Sequence, residues 1–335
     1  MPPPAVIPAI APHPNGTPFF WSVLIPCYNP RADYLEETLR SVLQQDPGET
    51  VMQIAVIDDA SPNGPPTDLV KKIAGDRVTV QRVEKNLGLA GIWNHCINEA
   101  QGRWLHFLHQ DDTVKPGFYE KMKAGTESPA APGLLYCRQE FIDEQGRHQR
   151  FSDLDAQQSG CLPDALPCLA RAQVIQAPSA VVRRTAFEAV GGLRSDLCFT
   201  LDWELWCRIA RKFPVWYEPE ALACYRVHSA AETARLRLSG QDIEDLRRCG
   251  EIVSSYVEDP GTRAAVRRHA ARRSAMFALK NAQDLLRLGR RAAAWRQISG
   301  ALRCDFSPKV IKDALLLLPA AAGVGAVKPA PGKNN

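Results

Sequence analysis

Two carboxylates stand side by side at the end of an apolar run, Arg103-Trp104-Leu105-His106-Phe107-Leu108-His109-Gln110-Asp111-Asp112. The run reads as a buried strand. Charge is costly inside one, so the acids face a crevice or a positive group at its C-terminal edge. In open α/β sheets that edge is where ligands bind. Adjacent hard oxygens suit Mg²⁺ or Mn²⁺, ions that commonly arrive with a diphosphate. Asp-Asp-Thr is also good Asx-turn chemistry, and the pair alone leaves both readings open. Two more apolar runs end alike: 20–26 exits into Cys27-Tyr28-Asn29-Pro30, and 53–57 into Asp58-Asp59-Ala60-Ser61. Coincidence explains three such clusters poorly, and one sheet would gather them along one rim.

The elements between these exits set how they are held. Residues 20–26 predict a strand, and Asp33 caps a helix to about 45 with Leu35, Leu39, Val42 and Leu43 on one face. A strand follows at 53–57, a short helix from Thr67 and a strand at 78–83. After Asn86-Leu87-Gly88 comes a helix at 90–100, then the strand ending in Asp111-Asp112. Strand alternating with helix predicts a right-handed parallel sheet with helices on both faces. Strands at 134–137 and 180–183 flank a polar loop, and a helix at 184–190 stops at Gly191-Gly192. A helix opens near Thr200 or Asp202, and strands at 214–217 and 222–226 lead to Val227-His228-Ser229. Beyond 230 the pattern is helical, at 242–256, 262–288, 292–302 and 308–318.

Composition bounds the class. With 335 residues, 45% of them hydrophobic, the chain can bury a full core. The net charge of +4 is small, but from Arg235 onward about 19 Lys and Arg face about 9 acids. A basic region favours anionic partners; a solvated helical face is the plainer reading. The ten cysteines form no Cys-x-x-Cys pair. Cys27, Cys96, Cys207 and Cys224 sit in apolar or helical stretches as small hydrophobes, which fits a reducing cytosol. Residues 1–18, opening Met1-Pro2-Pro3-Pro4, read as a flexible Pro-rich leader without the basic and apolar regions of a signal peptide. Asn15-Gly16-Thr17 matches a glycosylation sequon by chance. The apolar stretch 314–327 is too short to span a bilayer and is broken by Pro319, so it is expected to dock on the core. No Gly-x-Gly-x-x-Gly follows the first strand and no Gly-Lys-Ser/Thr occurs, which excludes the dinucleotide-binding and P-loop classes.

The ordered set Ser22-Val23-Leu24-Ile25-Pro26-Cys27-Tyr28-Asn29, Val56-Ile57-Asp58-Asp59-Ala60-Ser61, Asn86-Leu87-Gly88, Leu108-His109-Gln110-Asp111-Asp112 and Asp202-Trp203-Glu204-Leu205-Trp206-Cys207-Arg208 resembles family 2 glycosyltransferases of the GT-A fold. The resemblance runs from about Trp21 to about His228. It implies a GT-A nucleotide-diphospho-sugar transferase domain with a Rossmann-like mixed sheet at 19–230 and a helical, basic C-terminal region at 231–335. It also implies that Pro26, Tyr28 and Asp59 line the base and ribose pocket, with Asn86 and Gly88 shaping its wall. One of Asp111 and Asp112 would hold ribose or metal and the other would help hold Mn²⁺ or Mg²⁺ on the diphosphate, with His228 as a further ligand. Asp202 matches the family's catalytic base, at a helix N-terminus whose macrodipole favours the ionised form; the same placement suits an ordinary cap.

The chain departs from the family at His109, where an acid is common. Imidazole suits Mn²⁺, a hydrogen bond to ribose or acceptor, or a backbone-satisfied His equally. Arg208 is placed to pair with Glu204 or Asp202, and Trp203 and Trp206 read as core and acceptor-site wall. The implied activity is metal-dependent, inverting transfer of a sugar from a nucleotide donor to a hydroxyl of a surface polysaccharide or lipid-linked glycan. The implied location is the cytoplasm, peripherally at the inner face of the plasma membrane through the basic helices, with no nucleic-acid partner. Two alternatives stand beside it: a non-catalytic nucleotide-sugar or glycan-binding module, and a sugar nucleotidyltransferase.

Overall fold

The computed structural model describes residues 7–14, 16–229 and 231–323. The chain divides into two compact units. Met1–Leu169, Gln173–Leu197 and Leu201–His228 form the first, and Ala170–Ala172, Cys198–Thr200 and Ser229–Asn335 the second.

The first unit alternates strand and helix: β1 (Phe19–Cys27), α1 (Ala32–Leu43), β2 (Met52–Asp58), α2 (Thr67–Ala74), β3 (Thr79–Arg82), α3 (Gly88–Glu99) and β4 (Gly102–Phe107). It continues with β5 (Thr113–Val114), α4 (Phe118–Thr126), β6 (Leu134–Ile142), β7 (His148–Phe151), β8 (Gly160–Cys161) and α5 (Ala165–Leu169). β9 (Ala180–Arg183), α6 (Arg184–Val190), α7 (Leu201–Ala210) and β10 (Val215–Arg226) complete it. The sheet order is β3-β2-β1-β4-β9-β6-β10-β5, with β7 added to β6 and β8 to β10.

β3, β2, β1 and β4 are parallel, so the exits of β2, β1 and β4 share one edge. β9 runs antiparallel between β4 and β6, while β6 and β10 are parallel. The sheet is therefore mixed. β1 is buried along most of its length because a central parallel strand is covered on both faces. Leu35, Leu39 and Val42 form the buried stripe of α1. β4 must begin at glycine, since a Cβ on Gly102 would lie 2.5 Å from Ser22 N.

Three expectations are corrected. The N-cap of α1 is Arg31, while Asp33 sits in the first turn and pairs with Arg31 at 2.6 Å; an acid there is favoured by the helix dipole without capping. The strands expected at 214–217 and 222–226 are one strand, β10. Its register against β6 shifts between Glu218 and Ala223, which accommodates Pro219 in a bulge. The leader is not wholly free. Ile10 is buried, Pro8 O accepts from Gly192 N at 2.8 Å, and Ala11 O accepts from Arg184 Nη2 at 3.4 Å. Residues 1–6 and Asn15 lie outside the described residues.

The second unit contains α8 (Glu232–Ser239), α9 (Gln241–Ser255), α10 (Pro260–Arg287), α11 (Arg291–Cys304) and α12 (Pro308–Ala321). Asp259 caps α10, accepting Thr262 N at 2.7 Å, with Pro260 in the first turn. Inside the unit, Asp242 accepts from Gln297 Nε2 at 2.6 Å and Asn281 Nδ2 at 3.3 Å. Val310, Ala314 and Ala321 are the buried face of α12, and 324–327 of the apolar stretch lie outside the described residues. Among the described residues no helix is long and apolar enough to cross a membrane.

Candidate active site

The parallel registers bring the exits of β2, β1 and β4 together, and side chains then tie them. Asp59 N donates to Cys27 O at 2.8 Å, and Asn29 N to Ser61 Oγ at 2.7 Å, joining the first two exits. Gln110 joins the first and third: its Oε1 accepts from Tyr28 N at 2.8 Å and its Nε2 donates to Tyr28 O at 3.3 Å. The Tyr28 side chain is left half-exposed, while Pro26 is buried in β1. Asn29 and Ala60 take left-handed backbone at φ 47° and 56°, a strain tolerated at functional turns.

Asp59 is buried, and its oxygens accept from Leu87 N at 2.7 Å and Gly88 N at 3.1 Å, while Asn86 Nδ2 donates to Asp59 O at 3.0 Å. Burial raises the Asp59 carboxyl above its ordinary range against those two amides. The Asn86-Leu87-Gly88 turn is thus held by the very acid expected beside it. Glycine is needed at 88 for its left-handed φ of 69°, and the space where a Cβ would stand is open. Asp58 is paired with Arg82 Nη1 at 2.6 Å and receives Ser61 N at 3.1 Å, so it braces the turn.

His109, Asp111 and Asp112 converge at the exit of β4, one ligand atom from each lying within 4.8 Å of the others. Asp112 is buried. One oxygen accepts Arg226 N at 2.8 Å, and the other, Oδ2, has no hydrogen-bond partner and lies 3.7 Å from His109 Nδ1. His109 Nε2 is likewise buried without a partner. Burial, then the charge of Asp111, raises the Asp112 carboxyl well above its ordinary range, with Arg226 opposing. Burial holds the His109 imidazole below its ordinary pKa and hence neutral, with Asp111 opposing. One buried orphaned oxygen and one orphaned imidazole nitrogen beside a second carboxylate are a set that a divalent cation would satisfy.

β10 supplies the other side. His228 Nε2 lies 2.7 Å from Asp111 Oδ2, so His228 is bonded to the acid and stands outside the His109-Asp111-Asp112 set. Its ring also meets Tyr34 edge-on at 5.3 Å. Arg226, nearly fully buried, donates to Asp111 O through Nε at 2.8 Å and to Asp143 O through Nη1 at 3.3 Å, and pairs with Glu37. Its guanidinium lies 4.4 Å from the Tyr34 ring centroid. Thr38 Oγ1 donates to Asp112 O at 2.8 Å.

Asp202 is placed by other elements. It lies in the first turn of α7, where its Oδ1 accepts Trp203 N at 2.7 Å. Gln173 Nε2 lies 2.9 and 3.1 Å from its two oxygens. Arg208 pairs with Glu204 at 2.9 Å and donates to the carbonyls of Val190 and Gly192, bracing the Gly191-Gly192 turn. Trp203 and Trp206 are buried, and Trp203 Nε1 donates to Leu169 O at 2.8 Å, so both are core. Sequence reasoning missed Arg226, Gln110, Ser61 and Gln173. The only signal for Arg226 was a cation at a strand end two residues before His228.

The family model "Glycosyl transferase family 2" matches residues 22–191. An uncharacterised protein of Mycobacterium tuberculosis, MT1568, is 31% identical over 75% of this chain and 79% of its own length. An uncharacterised glycosyltransferase of Rickettsia conorii, RC0461, is 27% identical over 71% of this chain, a match that spans only 38% of that protein. Among solved structures, S. aureus TarS 1–349 in complex with UDP-GlcNAc superimposes with a TM-score of 0.62 at 17% identity, over 91% of this chain and 88% of that 1–349 chain. The mannosyltransferase PcManGT of Pyrobaculum calidifontis, in complex with GDP-Man and Mn²⁺, gives 0.56 at 19% identity, over 94% and 88%.

Proposed function

The chain belongs to glycosyl transferase family 2, with the GT-A fold of that family, and from this premise we propose how it works. It is a glycosyltransferase. The donor is a nucleotide-diphosphate sugar, the acceptor a hydroxyl of a surface polysaccharide or lipid-linked glycan, and the anomeric carbon inverts. The observation that carries the reading is the rim shared by β1, β2 and β4, where a pre-organised turn and an acidic cluster with orphaned ligand atoms lie at adjacent strand ends. A nucleotide on one side of that rim places its diphosphate toward the other.

On this reading the Tyr28 ring, the Pro26 face and the Asp59-braced turn of Asn86 and Gly88 receive the base and ribose. Asp111 and Asp112, with His109, hold Mn²⁺ or Mg²⁺. The donor set fits, since one Asp112 oxygen and one His109 nitrogen are buried without partners. His228 supports the set through Asp111, and its Nδ1, buried without a partner, is the atom it would offer as a direct ligand. When bound, the ion offsets the negative charge that develops on the departing nucleoside diphosphate. Asp202 takes the proton from the acceptor hydroxyl as its oxygen forms the new bond to the anomeric carbon and the bond to the diphosphate breaks. Gln173 fixes the Asp202 carboxylate in place.

The Mn²⁺ and GDP-Man bound by PcManGT and the UDP-GlcNAc bound by TarS support a metal and a nucleotide-sugar here. The excess of cations after Arg235 supports peripheral attachment at the cytoplasmic membrane face, where lipid-linked acceptors are found. Calorimetry tests the donor half. UDP-, GDP- or TDP-sugar should bind with Mn²⁺ and bind far more weakly with chelator or in Asp111→Asn. Binding that is indifferent to both removes the metal from the account. The configuration of the product's anomeric proton by NMR tests inversion.

A further inference from the structure

The first half of α10 carries Arg263, Arg267, Arg268, Arg272 and Arg273, and no Asp or Glu occurs between Asp259 and Asp284. At about 3.6 residues per turn, 263, 267, 268 and 272 spread over half the circumference of the helix. Together with residues 304–307 between α11 and α12, they line an open groove of about 860 Å³. Arg263 is committed to backbone, donating to Val257 O at 2.7 Å and Glu258 O at 3.0 Å. Arg267, Arg268 and Arg272 are exposed and have no acidic or hydrogen-bonding partner among the described residues.

Such a run is unusual on a surface where neighbouring arginines are paired, as Arg247 is with Glu244 and Glu251. The imidazole of His269 titrates below its ordinary value, through partial burial first and then through the positive charges of Arg171 and Arg273.

The groove is also apolar where a solvated face would not be. Phe306 stands in its wall with 74% of its surface exposed. On α12 the face away from the core carries Leu315 and Leu316, 58% and 70% exposed, together with exposed Lys312, while Lys309 is paired with Asp313 at 3.0 Å. Unburied aromatic and leucine side chains beside unpaired cations fit the headgroup region of a bilayer, where the rings and leucines enter the acyl boundary and the guanidiniums meet phosphate. A soluble polyanion would use the arginines and leave the apolar groups in water.

We propose that the α10 arginine groove, with Phe306 and the outer face of α12, is the surface on which this protein docks to a bilayer carrying anionic phosphate headgroups. The inference deepens the peripheral contact proposed above and rests on it for its purpose. Arg267, Arg268 and Arg272 bind the phosphates, and Phe306 inserts. Guanidinium suits this role because its planar fork meets phosphate oxygens two at a time.

Co-sedimentation of the full chain with vesicles tests it. Wild type should bind phosphatidylcholine vesicles containing 30% phosphatidylglycerol in 50 mM salt, bind pure phosphatidylcholine at least tenfold more weakly, and dissociate in 0.5 M salt. At about a fivefold loss per cation, Arg267→Gln/Arg268→Gln/Arg272→Gln should lower the partition about 100-fold. Phe306→Ser should lower it about tenfold. All substituted side chains are exposed, so unchanged circular dichroism and melting are expected. Lys71→Gln/Lys72→Gln on α2, exposed and outside the groove, should bind as wild type.

No binding by wild type, equal binding to neutral lipid, an unaffected arginine variant, or an equal loss in the α2 variant overturns the proposal. Saturation by millimolar glycerol phosphate without vesicle binding would assign the groove to a soluble phosphate and overturn the bilayer as its occupant. Donor binding in vesicle-free buffer is read separately. A chain that binds donor and ignores vesicles refutes this inference alone, and one that binds vesicles and no donor refutes the transfer reading alone.

Discussion

Replacing Arg226 with Met removes the side chain that ties β10 to the acidic motif while keeping the backbone N–H that Asp112 accepts. Two charged hydrogen bonds to carbonyls are lost, to Asp111 at 2.8 Å and Asp143 at 3.3 Å, each worth about 1.5–3 kcal/mol, with the longer at the low end. The contact over Tyr34 adds about 0.5–2 kcal/mol. The Glu37 pair adds little, because Glu37 is half-exposed and water screens it. The methionine regains part of this by filling the volume. A net loss of about 3–5 kcal/mol follows. For a unit of this size that lowers the melting temperature by on the order of 10 °C.

The same change frees the Asp111 backbone, so the metal site loses alignment as well as support. Thermal melts with and without Mn²⁺ are the assay. Wild type should be raised by saturating Mn²⁺, and Arg226→Met should start lower and gain less. A variant that melts within about 2 °C of wild type and keeps the full Mn²⁺ increment would refute the assignment of Arg226 as the brace.

Other outcomes follow from the same geometry. Gln173→Leu leaves Asp202 without the amide that meets both its oxygens, and the cost of one charged hydrogen bond, about 1.5–3 kcal/mol, should lower kcat by about 10–100-fold while the donor KM moves less than threefold. A change confined to KM would reassign Gln173 to donor binding. Asp59→Ala strands the amides of Leu87 and Gly88 and should weaken nucleotide affinity by at least tenfold, read by calorimetry. Chelator should abolish nucleoside diphosphate release and added Mn²⁺ restore it; in Asp112→Asn, restoration should need far more metal. His109→Ala should likewise raise the Mn²⁺ requirement, whereas an unchanged requirement would leave His109 outside the ion's coordination.

The chemistry-bearing part of this chain was legible where an apolar run stops abruptly at polar residues. The three exits at Cys27, Asp58 and Asp111 needed only strand burial and the parallel order of β1, β2 and β4 to be predicted on one edge. What stayed hidden depends on long-range pairing. β9 enters antiparallel between β4 and β6, and a strand of four residues, Ala180–Arg183, carries no sign of direction. Pro219 reads as a break, yet the bulge in β10 absorbs it. Arg226 reaches Asp111 and Asp112 across more than a hundred residues, so its role cannot be seen before the strands are placed. Gln173 lies in irregular chain, where no periodicity marks a residue that will meet Asp202. His228 was expected as a ligand, and its Nε2 bond to Asp111 could not be seen before β10 is placed beside the exit of β4.

The most direct test of the central claim is nucleoside diphosphate release from a panel of UDP-, GDP- and TDP-sugars, with Mn²⁺ and with chelator, for wild type and Asp202→Asn. The account predicts release from one donor class with Mn²⁺, none with chelator, and a loss of about 10²–10⁴-fold in Asp202→Asn with donor affinity retained. Equal release by Asp202→Asn, or a wild type that neither turns over nor binds any donor calorimetrically, would contradict it.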